Sequence, residues 1–448
     1  MKDLTVGKPG KVILMFALPL LIGNIFQLLY SVTDTWIVGY ILGDEALGAV
    51  GATATVNDLI LGFLFGLANG FSVITAKFFG AKNEKEMKKT VAASIKLGII
   101  ISIVLTIVTV SFLPSILKLL NTPQEHMEDG TLYVRIILLG MTASMMYNIC
   151  FSVLRAIGDT TTPLIFLIFS AFVNVILDFI LVKFTSMGVS GAALATVISQ
   201  IISVFLCVIY MYKKYPILHL SKSDFKTERN RIIELLGSGF SMGIMASLVS
   251  LGTVTLQSSI NTFNNDTIIA HYVARKITSI FMTPFGVFGI AMAAYSGQNF
   301  GAGKYDRIKK GIFKAVGVTW IWCGAVIIMS FTIVPTLVKA FASTNNTDII
   351  KTATLYLRVD TLLYFVTAVI SVFRNSLQGI GDHVTPIVSS FIELIGKILA
   401  AKLLAPAIGY MGIILTEPIV WILMVIPLIV KMFKNDVFKY DKPPEKTS

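Results

Sequence analysis

Twelve runs of predominantly apolar residues occupy this chain almost end to end: 11–38, 53–77, 90–113, 132–155, 163–184, 189–211, 232–261, 277–299, 311–338, 353–377, 385–404 and 408–433. A helix rises 1.5 Å per residue, so roughly 20 such residues cross a hydrocarbon core of about 30 Å. Backbone polar groups in that core must be satisfied within the segment, which selects the helix. The longest connection, 212–231, is a basic linker, and no room remains for a soluble domain. Of the 448 residues, 14% are charged and 55% hydrophobic, with a mean hydropathy of +0.80. Water-facing domains carry about 25% charged residues. That excludes a cytosolic enzyme, a disordered chain and a nucleic-acid binder. The first run carries Asn24, Gln27 and Asp34 with no small-residue cleavage site, and reads as a membrane helix rather than a signal peptide.

The net charge of +12 belongs to the loops. With the N-terminus placed in the cytoplasm, inner segments hold 25 Lys and Arg residues and outer segments 7. Cytoplasmic loops of membrane proteins carry such an excess. The expectation is an even number of helices in the cell membrane with both termini cytoplasmic. The three cysteines, Cys150, Cys207 and Cys323, sit in apolar runs as small core residues. The four histidines are scattered, without metal-ligand spacing.

The chain also repeats itself at one nearly constant offset. Phe79-Gly80-Ala81 recurs as Phe300-Gly301-Ala302, and Pro114 recurs as Pro335. Thr131-Leu132-Tyr133 matches Thr354-Leu355-Tyr356. Ile157-Gly158-Asp159-Thr160-Thr161-Thr162-Pro163 matches Ile380-Gly381-Asp382-His383-Val384-Thr385-Pro386. The expected fold class is an all-α membrane protein with twelve transmembrane helices in two parallel six-helix bundles. The bundles are 1–211 and 232–448, the second ending in a short cytoplasmic tail. Parallel repeats of this kind are a secondary-transporter design.

Each Gly-Asp-x-x-Thr-Pro reads as a tight cytoplasmic turn, with Gly ending one helix and Asp or Thr capping the next. Gly62, Gly66 and Gly70 form a small-residue row for close helix packing. No phosphate-binding loop, HExxH or Gly-x-Ser-x-Gly motif is present, so transport must draw on an ion gradient and an enzyme is not expected.

The informative residues are acids inside membrane helices, where they are costly and mark function. Gln27, Tyr30 and Asp34 share one helix face, Asn174 and Asp178 share another, and Thr196 and Gln200 a third. Counted along its helix from Pro163, Asp178 lies roughly 22 Å from the cytoplasmic side. Thr196 lies about 12 Å below the outer surface, at nearly the same level. Pro19 should bend the first helix and shorten the reach to Asp34. These groups are expected to meet in one outer-half cavity of the first bundle, where two carboxyls, an amide and a hydroxyl suit Na+ or a shared proton. The competing reading is a satisfied polar cluster that only fixes helix packing. In the second half, Glu393 and Lys397 are the counterparts by position of Asn174 and Asp178, and read as an ion pair. Glu417 is a weaker candidate, and Asp360 falls near the outer end of the tenth helix.

The motifs Asp34-Thr35-Trp36-Ile37-Val38-Gly39, Phe79-Gly80-Ala81 and the doubled Gly-Asp-x-x-Thr-Pro resemble the multidrug and toxic compound extrusion (MATE) family over essentially the whole chain. Asp34, Asn174, Asp178 and Thr196 are similar to the coupling residues of its DinF-like branch. Gln27, Tyr30, Asn148 and Gln200 fit a substrate cavity, and Pro19 resembles the branch's helix-bending proline. The resemblance implies export of amphipathic, often cationic, organic compounds in exchange for H+ or Na+, by alternating access. The expected partners are small organic substrates and the lipid bilayer, with a monomeric chain, no nucleic acid and no cofactor besides the coupling ion. The alternative is a flippase for a lipid or lipid-linked saccharide.

Overall fold

A computed structural model of the protein describes residues 2–119, 122–185, 187–342 and 344–440. Every regular element among them is helical. The helices are α1 Pro9–Leu42, α2 Asp44–Gly80, α3 Glu84–Leu119, α4 Met127–Leu139, α5 Met141–Ala156, α6 Thr161–Lys183 and α7 Val189–Lys214. They continue as α8 Arg229–Ile260, α9 Asn265–Gly301, α10 Tyr305–Thr332, α11 Val334–Ala342, α12 Thr347–Leu362 and α13 Tyr364–Gly379. The last are α14 Val384–Leu399, α15 Ala405–Ile408, α16 Tyr410–Lys434 and α17 Asp436–Lys439.

Among the described residues, nine single helices are long and apolar enough to cross a membrane. Two bent pairs, 124–139 with 141–156 and 347–362 with 364–379, pass the same length and apolarity test only when each pair is taken together, and they bend by 49° and 52°. The expected run 385–404 is α14 followed by a π-turn at Ala400–Leu404 and then α15, so its regular α part is only 16 residues. The bends were not foreseen in the runs 132–155 and 353–377. They fall at Gly140 and Leu363, which correspond under the same offset as Asp159 and Asp382, so the repeat is legible in the breaks as well as the motifs.

The doubled turn is built alike both times. Asp159 Oδ1 accepts from the backbone N–H groups of Thr161 and Thr162 at 3.1 and 3.0 Å, and Oδ2 from the Thr162 hydroxyl at 2.6 Å. Asp382 accepts from Val384 and Thr385 at 3.1 and 3.0 Å and from the Thr385 hydroxyl at 2.7 Å. These bonds satisfy the orphan donors of the first turns of α6 and α14. Gly158 and Gly381 precede the aspartates at φ +81° and +93°, where a side chain is strained, and a Cβ at Gly158 would strike the Lys2 carbonyl.

The chain forms two compact units. One comprises Met1–Asp3 and Met15–Ser247, the other Leu4–Leu14 and Leu248–Ser448. In the first, α6 lies along α7 and α2 along α5 and α3, over a core that includes Leu64, Leu67, Phe71 and Leu154. The start of α8 belongs to this unit. Gly66 and Gly70 face the α8 backbone at Met242–Gly243 and Ser238–Gly239, and the Ser238 hydroxyl donates to the Gly70 carbonyl at 2.7 Å. The linker's short turns, Pro216–Leu218 and Lys222–Phe225, rest on α3.

In the second unit α9 lies along α13 and α14 along α16, with Tyr295, Tyr356 and Tyr364 among its fully buried side chains. Its N-terminal strap is held by side chains of α9 and by two more that follow it. Leu4 N–H donates to Gln298 Oε1 at 2.9 Å, Lys304 Nζ to the Thr5 carbonyl at 2.9 Å, and Arg307 Nη1 to the Gly7 carbonyl at 2.7 Å.

Candidate functional site

The first unit places a polar cluster where α1, α6 and α7 meet. Asp178 and Asn174, one turn apart on the largely apolar α6, are buried at 0% and 1% exposure. The Asn174 amide nitrogen lies 3.3 Å from Thr196 Oγ1 on α7. Turned so that both its ends are satisfied, the same amide donates to the Tyr30 hydroxyl at 3.2 Å and to Asp178 Oδ2 at 2.8 Å. Its oxygen then accepts from the Thr196 N–H at 3.1 Å. The carboxyls of Asp34 and Asp178 lie within hydrogen-bonding reach of each other. Two carboxyls in contact hold a proton or a cation between them, because two adjacent negative charges repel each other. Each also keeps one buried oxygen, Oδ1, without a hydrogen-bond partner among the described residues. Tyr133, on α4, lies within electrostatic reach of both. Among the described residues, no group of three His, Cys, Asp or Glu residues is set for a metal ion.

A pocket with about 430 Å³ of empty space, its mouth included, adjoins the cluster. Gln27, Tyr30, Tyr147, Thr196, Ser199 and Gln200 line it together with Leu167, Ser170 and Ala171 of α6. Gln200 Oε1 accepts from the Ser144 hydroxyl at 2.5 Å. The lining thus has apolar walls with a few hydroxyls and amides, and no Lys or Arg among the described residues.

Of the residues singled out in the sequence, Asp34, Tyr30, Asn174, Asp178 and Thr196 come together at the cluster, and Gln27, Tyr30, Thr196 and Gln200 at the pocket. Asn148 is not part of the lining: its amide donates to the Ser144 carbonyl of its own helix at 2.9 Å. Its neighbour Tyr147 lines the pocket instead, because one residue along a helix turns the side chain by about 100°. Pro19 lies inside α1, which runs unbroken from Pro9 to Leu42, and lacks the N–H that the Met15 carbonyl would otherwise receive. Ser170 and Ser199 escaped the sequence reading. The signal was there: Ser170 is four before Asn174 and Ser199 three after Thr196.

The second unit holds a different cluster. Lys397 Nζ lies 2.9 Å from Glu393 Oε1 and 3.1 Å from Glu417 Oε1. Arg374 Nη2 approaches Glu393 Oε2 at 3.7 Å, and Arg275 Nη1 approaches Glu417 Oε1 at 3.5 Å. The expected Glu393–Lys397 ion pair is therefore one edge of a larger network. Asp360 is wholly buried just before the α12 C-terminus and accepts from Tyr364 at 3.0 Å and Thr278 at 3.3 Å. α12 ends at Leu362 and the chain turns there by 52°, so Asp360 sits beside a bend. The contacts also correct the pairing of the two halves. The starts of α6 and α14 correspond at Pro163 and Pro386, and the caps of α7 and α16 at Gly188 and Gly409. Counted from those anchors, Ser170 answers to Glu393, Asn174 to Lys397 and Thr196 to Glu417. The contacts Asn174–Thr196 and Lys397–Glu417 agree with this, one helical turn away from the pairing of Asn174 with Glu393.

A family model described as MatE matches the chain twice, at 19–180 and 241–403, which together exceed half its length. The second match is displaced from the first by almost the same offset as the internal repeat. Among curated proteins the chain is similar to the probable multidrug resistance protein YoeA of Bacillus subtilis (strain 168), with 27% identity over 85% of this chain and 84% of YoeA. It is also similar to the multidrug export protein MepA of Staphylococcus aureus (strain MSSA476), with 24% identity over 83% of this chain and 82% of MepA. Among solved structures, a crystal structure of MATE in the bent conformation superposes with a TM-score of 0.89 at 22% identity, covering 97% of each chain.

Proposed function

Because the chain belongs to the MatE family, we propose that this multi-pass membrane protein exports amphipathic, often cationic, organic compounds in exchange for H+ or Na+. The observation that carries the reading is the Asp34–Asp178 carboxyl pair beside a partly apolar pocket. The names of YoeA and MepA, a multidrug resistance protein and a multidrug export protein, support the same substrate class.

In this reading Asp34 and Asp178 are the coupling carboxyls, and Asn174 and Thr196 complete their site. Gln27, Tyr30, Tyr147 and Gln200 face the substrate. An ion arriving between the two carboxyls removes their repulsion and takes up the free Oδ1 atoms. Asn174 touches Tyr30, Asp178 and Thr196 together, so a change of charge at Asp178 is felt at the pocket wall through one amide. Substrate and coupling ion then compete through the tilt of α1, whose ladder is already missing a bond at Pro19. The carboxyl pair and the Asn-x-x-x-Asp spacing favour the DinF-like branch. In this reading the repeats 1–211 and 232–448 supply the two six-helix bundles of the cycle, the start of α8 packing with the first unit and Leu4–Leu14 with the second, in a cytoplasmic membrane with both termini inside.

A flippase of phosphate-bearing lipids calls for free cations in the cavity. The pocket lining carries none among the described residues, which favours the exporter.

The test is efflux of a fluorescent cationic dye from reconstituted vesicles under separately imposed H+ and Na+ gradients. Asp34→Asn should lose gradient-driven export by a factor on the order of 5–150, the size of ordinary coupling energies. Wild-type export by this variant at equal protein would remove Asp34 from the mechanism.

A further inference from the structure

Lys397 fills the second unit's counterpart of the place that Asn174 holds in the first. The surroundings are built for a cation there. Its ammonium lies within 2.9 and 3.1 Å of two carboxylates on two helices, Glu393 of α14 and Glu417 of α16, and the residue is 2% exposed. In the first unit the same two positions are Ser170 and Thr196, which are neutral. The stem has a prepared path as well. A Cβ at Gly252 would come within 2.9 Å of Lys397 Cδ, so the glycine on α8 leaves room for the lysine chain. Conversely, the second unit has Thr255 and Ala401 where the first has its two carboxyls, Asp34 and Asp178.

We propose that the Lys397 ammonium is a tethered cation that permanently occupies a carboxylate-lined cation site in the second unit, leaving ion exchange to the first. This goes beyond the coupling role of Asp34 and stands on different residues. A covalently held ammonium cannot leave, so its site neither takes up nor releases an ion during a transport cycle. Cut away from the chain beyond Cβ, the same group is n-propylammonium, and the emptied site should bind that ion from solution.

The experiment compares purified full-length wild type, Lys397→Ala and Lys397→Ala/Glu417→Gln, all prepared in n-propylammonium and then depleted of it. Thermal unfolding is followed as n-propylammonium, tetramethylammonium or Na+ is added back. The expected result is a Tm of Lys397→Ala that is lowered and then restored saturably by n-propylammonium. Tetramethylammonium, with no N–H to donate, should not restore it. Wild type and the double variant should show no saturable rise. An equal response in wild type and Lys397→Ala, or no response in a folded Lys397→Ala, overturns the proposal. If Lys397→Ala is not recovered folded even in n-propylammonium while the neutral Lys397→Met/Glu393→Gln/Glu417→Gln variant folds, the site does not accept a free ammonium and the proposal also falls. The readout does not involve Asp34: rescue with an active Asp34→Asn would leave this site standing and remove the coupling assignment, and the reverse pattern would do the opposite.

Discussion

Asp178 is the most completely buried acid of the first unit, and its neighbours are another carboxyl and one amide rather than a cation. Residues that share one proton or ion act as a unit, and their substitutions do not add. Asp34→Asn and Asp178→Asn should therefore each cut gradient-driven dye export by a similar factor, and the double variant should be no worse than the more damaged single one. Export rates from vesicles at matched protein decide this, and multiplicative losses would show two independent roles. Lys397 and Glu417 obey a different rule. Removing one partner of a buried ion pair leaves the other charge uncompensated, at about 3–5 kcal/mol. Glu417→Gln strips Lys397 of one of its two carboxylates and Arg275 of its partner, so its thermal stability should fall by that order. The exposed Asp306–Lys310 pair at 2.8 Å is the control, and Asp306→Asn should leave the unfolding transition unmoved.

Helix pairs show which packing was readable and which was not. The Gly62, Gly66, Gly70 row announced a close crossing, but the structure separates its members. A Cβ at Gly66 would meet the Met242 carbonyl and one at Gly70 the Ser238 carbonyl, whereas nothing lies within 4 Å of Gly62. Gly66→Ala should thus cost about 1–3 kcal/mol by forcing α2 and α8 apart, and Gly62→Ala should cost nothing. The comparison is a pair of melting curves on purified protein, and equal effects would sink the crossing argument. The capped turns add a pH dependence. Burial alone would raise the Asp159 carboxyl, but hydrogen bonds from the Thr162 hydroxyl and N–H and from Tyr215 outweigh it and hold it below its ordinary 3.8. A carboxyl lowered by folding stabilises the native state above its unfolded value and loses that contribution as pH falls below it. Stability should drop as pH falls below about 3.8, and Asp159→Asn should flatten that acid limb. Periodicity and caps fixed these elements in advance because they are local. The bends at Gly140 and Leu363 were not legible: both runs stay apolar through the break, and Leu363 carries no breaker signal at all. The same holds for Asn148 and Tyr147, since which of two adjacent polar residues faces a pocket depends on the tilt of α5, which the sequence does not record.

At the scale of the whole molecule, two copies of one scaffold carry opposite chemistry. The scaffold is legible because duplication leaves repeated turns and apolar runs at a nearly constant offset, as at Gly80 and Gly301 or Asp159 and Asp382. The chemistry is less so, because side chains that meet come from helices far apart in the chain: Asp34 of α1 with Asp178 of α6, and Arg275 of α9 with Glu417 of α16. Counting by offset paired Asn174 with Glu393, and only the contact across α14 and α16 moved the match by one turn to Lys397. Topology, in contrast, needs no contacts. The asymmetry of 25 Lys and Arg residues against 7 predicts that the 212–231 linker lies on the cytoplasmic side and the α6–α7 connection outside. The three native cysteines are buried, so a single introduced cysteine is a clean reporter. Lys222→Cys, in the linker, should react with a membrane-impermeant maleimide only in inside-out vesicles. Lys183→Cys, at the end of α6, should react only in intact cells. Labelling of both from one side would mean that α7 does not cross the membrane between them. Exchange of the two patterns would invert the direction in which the Asp34–Asp178 site meets its ion.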